Sequence, residues 1–351
     1  MADSQPLASK MADKSEIQKL LMPGEKERPT LKTIARLSGL AVPTVSRALS
    51  DAPDIGKDTK ERVRKLAQEL GYRPNRAGLR LRTGKTNVIA LVLHAENDVM
   101  SHGFRLITAV ASELRETPYH VIITPYLPDE DPLTPIKYIA ETGSADGVIL
   151  NRIQPDDPRV RYLNERNFPF AMHGRTSDCS DCPYYDFDNA AYGAETVAMV
   201  KARGRRNLLL VAPPRDQNYS QLMIAAAEEA GRKHGVSVRV LSGATSDSSS
   251  EEVTNAVRDH LARHPETDAI MSASVPSAVG STLAVEAASK TIGKDIDIVT
   301  KESLPFLSTF RQDILIVRED ITEAGEFLAR AVVQAIEHPE DPPMQKIVAP
   351  G

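Results

Sequence analysis

The chain has 351 residues, of which 41% are hydrophobic and 26% charged, and a formal charge of −5. That length exceeds one simple core and suggests two or three domains, and the composition is that of an ordinary globular protein rather than a disordered or fibrous one. No apolar run approaches the roughly 18 residues of a membrane span, and Met1 to Gln18 lack the apolar stretch of a secretory signal, so a cytoplasmic protein with no membrane partner is expected.

Residues 1–28 mix Met, Lys, Asp, Ser and Pro with little periodicity and read as a mobile tail, with Met11 or Met22 as conceivable alternative starts. Order begins at "RPTLKTIARLSGLAVPTVSRALSDAPDIGKDTKERVRKLAQELGYRPN", and residues 29–74 are expected to form a small all-α domain. Thr30 is a suitable N-cap for a helix from Leu31 to Leu37, and Ser38-Gly39-Leu40 forms a turn. Pro43 suits the first turn of a second helix ending near Leu49, because its missing N–H has no intrahelical partner there in any case. A third helix spans Lys57 to Leu70, with Val63, Leu66, Ala67 and Leu70 on one apolar stripe, and Gly71 and Pro74 end it. Ala35, Gly39 and Val45 complete a helix-turn-helix pattern: a small residue where two helices touch, a glycine free to take positive φ, and an apolar anchor beneath the second helix.

Charge agrees with that pattern. Pro29 to Thr86 carry 13 Lys and Arg against 5 Asp and Glu, a local surplus of +8 that leaves −13 to the rest of the chain. A basic concentration in one short domain is the electrostatic footprint of nucleic-acid binding, whereas the plainer reading is a solvated basic face. In a helix-turn-helix unit the first residues of the second helix face base edges in the major groove. Val42, Pro43 and Arg47 occupy those positions, with Thr44 and Ser46 placed for phosphates and Thr33 counted among the DNA contacts. The guanidinium fork of Arg47 matches the two acceptors of guanine; the rival reading has it touching phosphate only.

The stretch "GLRLRTGKT", Gly78 to Thr86, approaches a phosphate-binding loop but has five residues between its glycines rather than four. It also precedes Asn87-Val-Ile-Ala-Leu-Val-Leu93, a buried-strand pattern, where such a loop must open a helix. Its basic residues therefore need another explanation.

The segments "TLKTIARLSGLAVPTVSRAL" and "TKERVRKLAQELGYRPN", with the order of the elements C-terminal to them, resemble the bacterial lactose-repressor-like (LacI/GalR) transcriptional regulators, over nearly the whole chain after Pro29. The resemblance implies that residues 75–86 form a hinge that turns helical on the operator, where a leucine, Leu81 by position, wedges into the minor groove. Asn75, Arg76, Arg80, Arg82 and Lys85 are then phosphate and groove contacts. The chain departs from the family at Gly78-Leu79, where an Ala-Arg pair is usual, and glycine costs a helix about 1 kcal/mol.

From Asn87 short apolar strands alternate with amphipathic helices. Strands are predicted at Val88–Leu93, Val121–Thr124, Gly147–Leu150, Phe168–Met172, Leu208–Val211, Val236–Leu241, Ala269–Ser272 and Ile296–Val299, with helices such as Asn189–Ala202 and Glu251–Arg263 between them. Such alternation argues for parallel sheets covered on both faces. The resemblance implies a periplasmic-binding-protein-like (type I) α/β domain, 87–351, with two lobes around a ligand. The expected N-lobe is 87–187 plus 308–337, with Ser308–Val317 crossing back before the helix Ile321–Glu337. The expected C-lobe is 188–307 plus the C-terminal tail. Matching landmarks are Asp146 to Leu150, Gly174-Arg175, Asp188-Asn189, Gly204-Arg205-Arg206 and Leu307-Ser308-Thr309.

Ligands of open α/β sheets sit beyond the carboxyl ends of the strands. His94, Asn97, Arg152, His173, Arg175, Gln221, Lys301 and Glu302 are the expected effector contacts. Several depart from the family: Gln221 stands for a common arginine, Lys301-Glu302-Ser303 for an aspartate motif, and Val275 for a common aspartate. Arg152, Arg175 and Lys301 against one acid suggest an anionic effector, a sugar acid or sugar phosphate. The rival reading pairs Lys301 with Glu302 or a surface acid and leaves the cleft neutral.

The eight histidines do not cluster at metal-ligand spacing, no hydrolase or zinc-protease motif appears, and no cofactor is expected. Cys179 and Cys182 form a C-x-x-C without the second pair that zinc needs, and the simplest reading is incidental. A solute-binding protein or a sugar-processing enzyme of the same α/β fold would lack the first hundred residues of this chain. The sequence therefore predicts a homodimeric cytoplasmic regulator, acting as a repressor of carbon-metabolism genes, that binds a roughly palindromic double-stranded operator under control of a small effector. The tail "MQKIVAPG" offers no heptad for a tetramer.

Overall fold

The structure is a computed structural model that describes residues 29–72, 84–95, 102–127, 129–178 and 180–351. Asn75, Arg76, Leu81, Arg82 and Asn97 lie outside the described residues, as do Gly78, Leu79, Arg80 and Cys179. The chain divides into two compact units, 1–86 and 87–351.

The described part of the first unit is three helices, α1 (Leu31–Ser38), α2 (Val42–Leu49) and α3 (Lys57–Glu69). Thr30 and Thr33 close a capping box: the Thr33 amide donates to Thr30 Oγ1 at 3.3 Å and the Thr30 amide to Thr33 Oγ1 at 3.2 Å. Two amides that the helix start would otherwise orphan are thereby satisfied. Gly39 ends α1 at φ +69°, a conformation that costs any residue with a Cβ. Pro43 sits in the first turn of α2. Ile34, Ala35, Val45, Ala48, Val63 and Ala67 form the buried core, with Leu66, Leu70 and Tyr72 packed against it. The expected stripe of the third helix is thus the one that faces the other two.

The second unit contains two parallel sheets. The first has strands β1 (Val88–His94), β2 (His120–Tyr126), β3 (Gly147–Leu150), β4 (Phe170–His173), β5 (Tyr184–Phe187) and β11 (Gln345–Val348), in the order β11-β5-β4-β3-β1-β2. The second has β6 (Asn207–Val211), β7 (Ser237–Val240), β8 (Ala269–Ser272), β9 (Asp297–Glu302) and β10 (Leu315–Arg318), in the order β10-β9-β8-β6-β7.

Burial on both faces explains the near-continuous apolar strands. Along β1, Ile89, Leu91 and Leu93 face α4 (His102–Glu113) and α12 (Ile321–Glu337). Ala90 and Val92 face the opposite layer, α5 (Leu133–Thr142) and α6 (Pro158–Glu165). In the second lobe α7 (Asn189–Ala202) and α8 (Asn218–His234) cover one face, and α9 (Ser250–Arg263) and α10 (Val275–Ala287) the other, with the short α11 (Leu307–Phe310) following β9. The two helices α7 and α8 approach so closely at Gly193 that a Cβ there would lie 2.5 Å from the Met223 carbonyl oxygen.

The lobe boundaries differ from expectation at the C-terminal end. Leu315–Arg318 does not cross back; it pairs in parallel with β9, Leu315 opposite Val299, and so belongs to the second lobe. The tail strand belongs to the first lobe, where Gln345 to Val348 pair with Tyr184 to Phe187. Both are four-residue edge strands, too short to carry much signal, and pairing partners are set by the sheet edge that remains open. The return crossing falls at Glu319 and Asp320, where the Asp320 carboxylate caps α12 through the amides of Thr322 and Glu323.

Candidate functional site

The first candidate surface is α2. Its register buries Val45 and Ala48 in the core and turns Pro43 and Arg47 to solvent, with Val42, Thr44 and Ser46 half-buried between them. Pro43 and Arg47 therefore share one presented face because Val45 and Ala48, three residues apart, anchor the opposite one, while Val42 packs partly against the core. Arg47 Nη2 lies 2.6 Å from Asp54 Oδ1, and both side chains are about half exposed, at 56% and 48%. Thr33 is corrected: it is only 1% exposed and its hydroxyl serves the capping box, so it organises the helix and does not face outward.

The second candidate site is where the strand ends of the two lobes meet. Two loops join across the cleft. The Asn218 amide donates to the Ile153 carbonyl at 2.8 Å and its side-chain Nδ2 to the Arg175 carbonyl at 2.8 Å. Gln154 Nε2 reaches Asp216 Oδ2 at 3.4 Å. Arg152, two residues beyond β3, takes φ +55°, a left-handed conformation that costs a residue with a side chain roughly 1–3 kcal/mol. Its guanidinium is held by Asp247 of the other lobe at 2.7 Å. His94, at the end of β1, packs edge-on against Tyr126 at 5.2 Å. Burial, with Arg152 nearby, lowers its pKa despite Asp247 and Asp216, which keeps the ring neutral at pH 7.

Around the other strand ends the cations are paired as well. Arg175 Nε lies 2.9 Å from Asp186 Oδ2, and Lys301 Nζ lies 3.0 Å from Glu319 Oε2 and 3.3 Å from Asn189 Oδ1. Lys301 is buried and its ammonium stands 5.0 Å from the centre of the Phe187 ring. Burial pushes the Asp186 carboxyl up to about 7, although Arg175 and Lys301 both pull it down. His173 lies beside Tyr185, with ring centres 6.4 Å apart.

Five of the expected effector contacts, His94, Arg152, His173, Arg175 and Lys301, thus lie at strand ends; Asn97 is outside the described residues, and two need correction. Gln221 is exposed on α8, where its amide donates to the Arg215 carbonyl at 2.9 Å; the residues of that loop that enter the junction are Gln217 and Asn218. Glu302 is buried, but its carboxylate accepts the amides of Leu307 at 2.6 Å and Ser308 at 3.4 Å, so it anchors the following loop. A count of cations leaves out their partners, because Asp247, Asp186 and Glu319 come from stretches that no spacing connects to Arg152, Arg175 and Lys301. Two acceptors went unnoticed: the side-chain oxygens of Asn151 and Gln217 are buried without a hydrogen-bond partner among the described residues. Their position one residue beyond β3 and at the start of α8 was the available signal. Cys182 is fully buried, in the core of the first lobe.

Residues 30–75 match the model of the bacterial regulatory proteins of the lacI family, and residues 87–348 match that of the periplasmic binding proteins and sugar binding domain of the LacI family. The chain is 28% identical over 323 residues to the HTH-type transcriptional regulator AglR of Rhizobium meliloti, covering 90% of each protein. It is 26% identical over 324 residues to CelR of Thermobifida fusca, covering 89% of this chain and 93% of that one. In fold it is similar to the lac repressor dimer bound to operator and the anti-inducer ONPF, with a TM-score of 0.78 at 17% identity over 93% of this chain and 97% of the other. A CelR–cellobiose complex agrees with a TM-score of 0.67 at 23% identity, over 92% and 98%. A helix-turn-helix unit followed by two parallel-sheet lobes, matched by family models over both parts, makes this chain a member of the LacI family of DNA-binding transcriptional regulators.

Proposed function

We propose that the protein is a homodimeric cytoplasmic repressor of carbon-metabolism genes whose operator affinity is set by an uncharged sugar held between the lobes. The supporting observation is the pairing of every expected cleft cation with a carboxylate, Arg152 with Asp247, Arg175 with Asp186 and Lys301 with Glu319. With its charges compensated, the junction offers hydrogen-bond acceptors such as Asn151 Oδ1 and Gln217 Oε1, which suit hydroxyl donors better than a carboxylate or phosphate. The cellobiose bound to the CelR relative is an uncharged sugar of this kind.

A sugar acid or sugar phosphate is the second reading, and Asp186 favours it: a proton on that carboxyl, whose pKa is about 7, releases Arg175 for an anion. On the DNA side, Val42, Pro43 and Arg47 read base edges, and Thr44 and Ser46 hold phosphates. Asn75, Arg76, Leu81 and Arg82, outside the described residues, serve the hinge and its minor-groove wedge. A second copy of the chain is the partner that fits the exposed Phe104 and Phe310, each 69% exposed, and the edge strand β2 with Ile122 and Ile123. Two-fold pairing presents two reading helices to a palindrome.

The test is selection of duplexes from a random library, then anisotropy titration of the winner against neutral di- and oligosaccharides and against sugar acids and sugar phosphates. A palindromic winner released or tightened by one neutral sugar is the expected result. A response to acids or phosphates alone would replace the uncharged effector with the anionic one, and no enriched sequence would remove the regulator's operator.

A further inference from the structure

Resting on that reading of α2, we infer that Asp54 is a specificity-determining residue: it orients the Arg47 guanidinium toward a base edge and keeps it from a phosphate. Asp54 lies in the loop between α2 and α3, and its contact with Arg47 at 2.6 Å is made by one carboxylate oxygen and one terminal nitrogen. An ion pair this exposed adds little to stability, since it is solvated and screened. Its consequence is geometric. Fixing Nη2 removes rotamer freedom from a long side chain whose only charged partner among the described residues is Asp54, and leaves Nη1 and the second hydrogen of Nη2 as the parallel donor pair of the fork.

The neighbouring acid behaves differently, which isolates the role of Asp54. Asp51 is occupied by α3, with Lys60 at 3.1 Å and Arg64 at 2.6 Å, and closes the loop onto that helix. Asp54 instead places a negative charge beside the presented arginine. A phosphate approaching Arg47 would meet that carboxylate, whereas a guanine edge, with two neutral acceptors, or a cytosine amino group, which donates to a carboxylate, would not be repelled. Like-charge repulsion against the wrong partner is a device for specificity rather than affinity. The pair therefore reads bases as a unit, and the acid lowers affinity for DNA backbone in general.

The experiment uses the full chain as wild type, Asp54→Asn, Asp54→Ala, Arg47→Ala and Arg47→Ala/Asp54→Ala. Each is titrated against the duplex selected by the wild type and all its single-base-pair variants, at several salt concentrations. The expected result for both Asp54 variants is a roughly tenfold loss of discrimination at one base pair per half-site, within the range of one bidentate contact. Non-specific duplexes should bind more tightly, with a salt dependence steeper by about one phosphate contact per reading helix. In the Arg47→Ala background the Asp54 change should no longer alter discrimination at that base pair, a readout that loss of negative charge alone would not give. The inference is overturned if the Asp54 variants keep the wild-type base profile, if they lose it equally without Arg47, or if Arg47→Ala weakens all duplexes alike. A wild type that enriches no duplex at all would instead defeat the function on which the inference rests.

Discussion

The reading helix and the interlobe junction solve the same problem, holding charged side chains ready for a ligand, in opposite ways. On α2 the functional groups are exposed, and their positions follow from residues one turn away: Val45 and Ala48 go inward, so Pro43 and Arg47 go outward. At the junction the charged groups are largely buried and each is fixed by a partner far along the chain, Arg152 by Asp247 and Lys301 by Glu319. A local site can be altered without unfolding its support, whereas a site assembled from buried ion pairs is part of that support. Removing one buried partner leaves a desolvated charge behind; removing an exposed one leaves water to replace it.

The largest effect that separates the two follows from Lys301→Ala. Glu319 would stay buried without its partner, and the second unit should lose about 3–5 kcal/mol in chemical denaturation. Recovery of most of that loss in the double variant with Glu319→Gln would trace it to the orphaned charge; an unchanged midpoint would mean that the pair is not buried in solution.

Somewhat smaller, at about 2–5 kcal/mol, is the cost of Ile34→Ala, which opens a cavity in the small three-helix core. Calorimetry should show the reading unit melting earlier and operator binding lost, with the transition of residues 87–351 in place. A joint shift of both transitions would contradict the independence of the two units.

The junction also carries a pH dependence. Asp186 is raised to about 7 in the folded protein, so between its unfolded value near 4 and pH 7 the folded state holds a proton that the unfolded state has released. Its stabilising contribution is complete below the lower value and is lost as pH rises through about 7. Asp186→Asn should flatten that part of the stability profile of the second unit, and a profile identical to that of the wild type would exclude Asp186 as its source.

The smallest effect is expected at Gln221. Its side chain is exposed and, among the described residues, bonds only the Arg215 carbonyl, so Gln221→Ala should shift neither stability nor effector response beyond about 0.5 kcal/mol, while Asn218→Ala, which removes an interlobe contact, should alter the response. Isothermal titration with the sugar that shifts operator affinity decides the order of the two.

Much of the architecture was legible from residues alone. The helix Asn189–Ala202 and the helix Ile321–Glu337 have the predicted bounds, because each begins after an aspartate that caps it and carries a sustained buried face. The strands in the middle of the sheets were legible for the same reason: Val88–His94 and Gly147–Leu150 are buried on both faces and read as unbroken apolar runs. The C-terminal edge strands were not. Leu315–Arg318 and Gln345–Val348 are short, and which sheet they join depends on which edge is open, a property of the assembled lobes.

The sequence by itself determined the helix-turn-helix, its basic character and the face that α2 presents, because helix periodicity, caps and a glycine turn act over a few residues. Only the tertiary structure decided the chemistry of the junction. Parallel sheets return distant strands to one end, so Asp247, Asp186 and Glu319 reach Arg152, Arg175 and Lys301 through topology. A count of cations along the chain gives the number of charges, and their compensation depends on distances of about 3 Å that folding alone creates.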